Sequence, residues 1–194
     1  MPEVKITVNE QYEERQSCRL YLRFFFHLVA CGVFDAVLAY GGYLWYLLIA
    51  EDVTDPQILT VKWFTPCYLT NWNFLFQTMF LTMSLVYDIM EWLDRHESSL
   101  GKKLKFVRDV MFSGLIVPLT LFISSMFWTV YWIDRELVFP EVYDQLVPWW
   151  FNHCVHTNIS IVLLIETVLQ ARRHPTHFKL ELTINAAAGI LYAI

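Results

Sequence analysis

Asn152, His153 and His156 stand at helical spacing in the stretch Pro148-Trp-Trp-Phe-Asn-His-Cys-Val-His-Thr157. On a helix, Asn152 and His156 share a face, His153 lies at its edge and Ser160 continues the stripe. The next residues, Ile159 to Gln170, are strongly apolar, and polar groups in such a setting are costly and are candidates for function. A neutral histidine is the usual base for a hydroxyl nucleophile, which is weak at neutral pH until its proton is taken. The hydroxyl that fits is Thr70. It heads a second polar stripe, Thr70, Asn73, Gln77, Ser84 and Asp88, whose members fall within about 60° of one another at 100° per residue. That stripe must face a bundle interior or a wet cavity. The chemistry such a pair could perform is acyl transfer; the spacing alone favours the plainer reading, Thr70 bonding back to its own helix and the histidines joining interhelical packing.

The elements that position these residues follow from composition. Of 194 residues, 56% are apolar, 17% aromatic and only 17% charged, too apolar for an ordinary soluble domain. The expectation is an all-α polytopic membrane helix bundle. A first span runs from Leu20 to Ala50, with Arg23 at its start, Asp35 near its middle and Gly41-Gly42 where a neighbour could approach closely. A loop from Glu51 to Lys62 precedes a second span from Trp63 to about Met90, with Pro66 in its first turn. A charged connector, Glu91 to Lys105, leads to a third span, Phe106 to Ile133, and Leu137 to Val147 reads as an interfacial turn. The fourth span is Pro148 to Gln170. Arg172-Arg173-His174-Pro175 break the chain, and Leu182 to Ile194 is too short for a full span, so it reads as a truncated or re-entrant fifth. Residues 1–19 read as a cytoplasmic segment without a cleavable signal and 20–194 as one bundle domain, C-terminally incomplete.

Twelve of the fourteen lysines and arginines fall in the N-terminal segment and the second and fourth connections, leaving Lys62 and Arg135 elsewhere. The positive-inside rule therefore places the N-terminus in the cytoplasm, in the plasma membrane or the endomembrane system. The second and fourth spans then enter from the same outer side. Thr70 and His156 come to lie roughly 10 Å and roughly 12 Å below their entry points at 1.5 Å per residue, at similar depth.

Other readings find less support. Nucleic acid is not expected as a partner, because no basic patch exists. Cys18, Cys31, Cys67 and Cys154 are scattered and form neither a disulfide framework nor a zinc motif. His153 and His156 offer two metal ligands at most, with His27, His96, His174 and His177 elsewhere, so no metal or other cofactor is expected. Asp35 is expected to be buried against a polar neighbour. Asn158-Ile-Ser160 matches a glycosylation sequon but lies inside the fourth span.

Three blocks resemble the family of androgen-induced gene and androgen-dependent TFPI-regulating proteins: Tyr68-Leu-Thr70 with Asn73 and Gln77-Thr78; Phe127-Trp128 through Asp134-Arg135-Glu136 to Phe139-Pro140; and Pro148 to Thr157 with its Asn-His-x-x-His-Thr core. The resemblance covers Tyr68 to the chain end, and Met1 to Lys62 matches poorly. It implies a bundle of about six spans and an intramembrane threonine hydrolase cleaving fatty acid esters of hydroxy fatty acids. Thr70 would be the nucleophile and His156 the base, with Asn152 and His153 supporting. The partners implied are a membrane lipid ester of two acyl chains and the bilayer itself. Asn73, Gln77 or Asn152 would donate to the oxyanion, since N–H groups inside a helix are already used. The rival reading is a non-catalytic membrane regulator or lipid-binding scaffold, and a small transporter ranks behind both.

Overall fold

The computed structural model describes residues 8–170 and 177–193. Arg172-Arg173-His174-Pro175, expected to break the chain, lie outside the described residues, as does Lys5. Among the described residues the chain is all-helical, with no strand.

The first helix, α1, runs over Val8–Ala50. Asp55 then starts α2, Pro56–Phe64, by accepting from the N–H groups of Gln57 at 2.8 Å and Ile58 at 3.2 Å, with Pro56 in the first turn where its missing N–H costs nothing. The expected loop up to Lys62 is thus largely helical. The expected second span is also interrupted: a 3-10 turn, Thr65–Cys67, and an extended Tyr68 separate α2 from α3, Leu69–Trp92. Pro66 explains the break, because it has no N–H to continue the ladder.

Ser98 caps α4, Ser99–Met111, through the Gly101 N–H. A π turn, Phe112–Ile116, joins α4 to α5, Val117–Ile133, and lies just ahead of Pro118, which removes a ladder bond there. The α8 backbone seats against this turn: a Cβ on Gly114 would stand 3.2 Å from Glu181 Cα. Two short 3-10 turns, Arg135–Leu137 and Glu141–Gln145, then lead to α6, Trp149–His153, a second π turn, Cys154–Asn158, and α7, Ile159–Leu169. The last helix, α8, covers Phe178–Ala193, starting earlier than its apolar residues indicated.

Gln16–Ala50 and Ser99–Ile133 are long and apolar enough to cross a membrane. The core between α1, α3, α5 and α7 is apolar, with Leu81 and Ile159 fully buried and Phe34 stacked on Phe74 at 4.6 Å. The α3 stripe is buried as its periodicity requires: Asn73, Ser84 and Asp88 are fully enclosed and Gln77 nearly so. Asp35 departs from expectation. It lies on the exposed side of α1, because the buried positions of that turn are Cys31, Phe34 and Val37.

One end of the bundle is tied by charge. His27 Nδ1 lies 2.6 Å from Asp88 Oδ2, and Nε2 lies 2.8 Å from Glu166 Oε2. Arg23 completes the cluster, donating to Asp88 at 3.0 Å and to Glu91 at 2.6 Å. The His27 ring thus bridges from α1 to α3 and α7 together.

Candidate functional site

A cavity of about 1210 Å³ occupies the other half of the bundle, above the ~300–1,000 Å³ usual for sites of drug-sized ligands. Thr70, Asn152 and His156 line it among mostly apolar side chains, including Val37, Phe74 and Phe127.

Thr70 and His156, 86 residues apart, meet: Thr70 Oγ1 lies 3.4 Å from His156 Nε2. The other ring nitrogen, Nδ1, is 2.8 Å from Asn152 Oδ1 and 3.1 Å from the Asn152 carbonyl. A carbonyl oxygen can only accept, so Nδ1 carries the proton and Nε2 of the neutral ring turns its lone pair toward the Thr70 hydroxyl. The ring is held flat by Phe127, stacked on it with centroids 3.5 Å apart. Its main chain is held as well, because Ser124 Oγ donates to the His156 carbonyl at 2.7 Å. His156 lies within the π turn, a departure from α geometry that recurs at functional sites.

The remaining expected site residues lie elsewhere. His153 faces Trp128 at 5.1 Å and Trp149 at 5.7 Å, and its Nδ1 is 3.2 Å from Thr157 Oγ1, so it buttresses the helix rather than meeting Thr70. Gln77 Nε2 donates to Thr120 Oγ1 at 2.6 Å and to the Ile159 carbonyl at 3.3 Å. Thr120 in turn donates to Asn73 Oδ1 at 3.3 Å. Asn73 and Gln77 thus form an interhelical relay that does not line the cavity, which removes both from contact with a bound molecule. Thr120 and Ser124 escaped the sequence reading because hydroxyls at helical spacing in an apolar segment are ordinary packing residues.

A second correction concerns Thr70 itself. It lies not in mid-helix but in the first turn of α3, since the chain is broken at Tyr68. The loop beyond α5 forms part of the cavity wall through Phe139, Pro140 and Tyr143. Arg135 fastens that loop by donating to Asp144 at 2.9 Å and to the Phe139 carbonyl at 3.2 Å. The bond to Asp144 holds the guanidinium above its ordinary pKa.

The fold and site together describe a helical bundle with a threonine–histidine pair at an apolar cavity. The chain belongs to the FAR-17a/AIG1-like protein family, whose match covers residues 22–194 and so takes in most of α1, where the resemblance was poor. It is 34% identical over 163 residues to the human androgen-dependent TFPI-regulating protein, covering 80% of this chain and 67% of that one. The mouse protein of the same name is 35% identical over 131 residues, 66% of this chain and 54% of that one. Human androgen-induced gene 1 protein is 31% identical over 114 residues, 56% of this chain and 48% of its own length. The chain thus spans between about half and two thirds of the curated relatives it matches. No solved structure matches. The family and the two membrane-capable helices indicate a membrane protein.

Proposed function

We propose that this chain is an integral membrane hydrolase that cleaves fatty acid esters of hydroxy fatty acids, with Thr70 as nucleophile and His156 as base. The observation that carries the reading is the Thr70 hydroxyl 3.4 Å from an imidazole nitrogen that Asn152 leaves unprotonated, both at the wall of one large apolar cavity. The distance is slightly long for a hydrogen bond, as is common before substrate binds.

His156 Nε2 takes the Thr70 proton as Oγ1 attacks the ester carbonyl. Collapse of the tetrahedral intermediate breaks the ester C–O bond, and His156 returns the proton to the departing alkoxide, which leaves as the hydroxy fatty acid. Water then attacks the acyl-threonine by the same route in reverse, releasing the fatty acid and restoring Thr70. Asn152 keeps the ring in the tautomer these steps need. The apolar walls suit an ester of two acyl chains, which requires polar partners only at its carbonyl. In this reading residues 20–194 form a bundle of four spans and a shorter fifth helix, with the N-terminus cytoplasmic. The charged cluster of His27 then faces the inner side and the cavity the outer.

The test is labelling of the membrane-embedded protein with a fluorophosphonate probe, comparing wild type with Thr70→Ala and His156→Ala at matched expression. Labelling that disappears in both variants supports the activated threonine. A folded wild type that stays unlabelled and cleaves no ester sinks the hydrolase reading in favour of a lipid-binding scaffold.

A further inference from the structure

The geometry points to the main-chain N–H groups of Leu69 and Thr70 as the oxyanion hole of this site. The assignment rests on the hydrolase reading above and names the donors that reading lacks.

The first N–H groups of a helix have no acceptor within it, and the i−4 carbonyls that would serve Leu69 and Thr70 are those of Thr65 and Pro66. Neither accepts from them among the described residues: the Thr65 carbonyl takes the Tyr68 N–H at 3.3 Å and Asn71 Nδ2 at 2.6 Å, and the Pro66 carbonyl takes Trp72 Nε1 at 2.8 Å. The Tyr68 carbonyl accepts from the N–H groups of Asn71 at 3.0 Å and Trp72 at 3.3 Å, and no side chain caps the helix. The Leu69 and Thr70 N–H groups are therefore left without an acceptor among the described residues, at the head of a helix of 24 residues.

Three independent features indicate that a ligand oxygen completes them. Leu69 and Thr70 both line the cavity. The same cavity is lined by Asn152, only 7% exposed, whose Nδ2 also has no acceptor among the described residues while Oδ1 is turned to His156. Finally, the Thr70 N–H lies three bonds from its own Oγ1, so an oxyanion formed on a carbonyl attacked by that oxygen develops beside it. The positive end of the α3 dipole adds to the stabilisation of that charge.

Leu69→Pro removes one of the two donors with little structural cost. Proline is favoured in the first helical turn, and Tyr68, at φ −68° and ψ 128°, already has the extended conformation required before proline. Leu69→Ala loses the same side chain but keeps the N–H, and is the reference. Each is assayed on a fatty acid ester of a hydroxy fatty acid and on its thionoester, whose C=S sulfur is a poor acceptor. Relative to Leu69→Ala, the proline variant should lose about 10²-fold in kcat on the oxygen ester with KM little changed, the usual effect of removing one oxyanion donor. The thionoester rate should fall far less. Equal rates for the two variants, or equal losses on both substrates, would overturn the assignment while leaving the hydrolase intact. A wild type that turns over neither ester, matching Thr70→Ala, removes the hydrolase reading and this assignment with it.

Discussion

His27 and Asp88, 61 residues apart, are joined at 2.6 Å with no exposure of either side chain. This contact and the Glu166 contact beside it bring three helices together through charge at the end of the bundle opposite the cavity. Breaking a buried ion pair by removing one partner typically costs ~3–5 kcal/mol, and Asp88 is the partner that His27 and Arg23 share. Asp88→Ala is therefore expected to lower the unfolding temperature in detergent steeply, whereas Thr70→Ala, at a half-buried hydroxyl, should barely move it. A stability unchanged by Asp88→Ala would show that the cluster is not holding the helices.

Asn152 offers His156 Nδ1 two acceptors, its side chain at 2.8 Å and its carbonyl at 3.1 Å. Asn152→Leu removes only the first. The carbonyl still selects the tautomer, so the loss should be that of one hydrogen bond, ~0.5–1.5 kcal/mol or up to about tenfold in probe-labelling rate. A drop as complete as that of His156→Ala would mean that the side chain alone fixes the ring.

Gly41 and Gly42 separate a packing role from a neutral one. A Cβ on Gly41 would lie 2.9 Å from Phe151 Cζ, while one on Gly42 meets nothing within 4 Å. Gly41 and Phe151 both line the cavity. Gly41→Val should displace the ring and cost ~1–3 kcal/mol of stability while shortening the preferred acyl chain, and Gly42→Ala should change neither. Thermal unfolding and turnover across a chain-length series would decide; equal effects at the two positions would refute the close-approach account.

The Thr70–His156 pairing was legible in the sequence because each lies on a polar stripe of an apolar helix, lysine and arginine alternation put both at similar depth from one side, and the family motifs single out the same two residues. The break that frees the Thr70 N–H was not. Pro66 read as an ordinary first-turn proline of a span starting at Trp63, whereas the 3-10 turn at Thr65–Cys67 and the extended Tyr68 make the helix restart at Leu69. Glu166, an acid inside an apolar run, signals a costly buried charge but not what it pairs with. Its partner His27 is 139 residues away, and such pairing is set by tertiary packing rather than by local periodicity. The π turn around His156 has no proline or glycine to announce it.

Ser124 is the residue through which that π turn is most directly testable. Its hydroxyl reaches the His156 carbonyl at 2.7 Å, from α5 across to the helix that carries the base. Its hydrogen bond goes to the main chain rather than to Thr70 or the imidazole, so the effect of losing it should pass through the position of His156. Ser124→Ala should weaken that position by about one hydrogen bond, slowing probe labelling by up to about tenfold. Ser124→Thr keeps the hydroxyl and should retain most of the rate. Labelling by Ser124→Ala at the wild-type rate would show that Phe127 stacking and the Asn152 bonds suffice to hold the base.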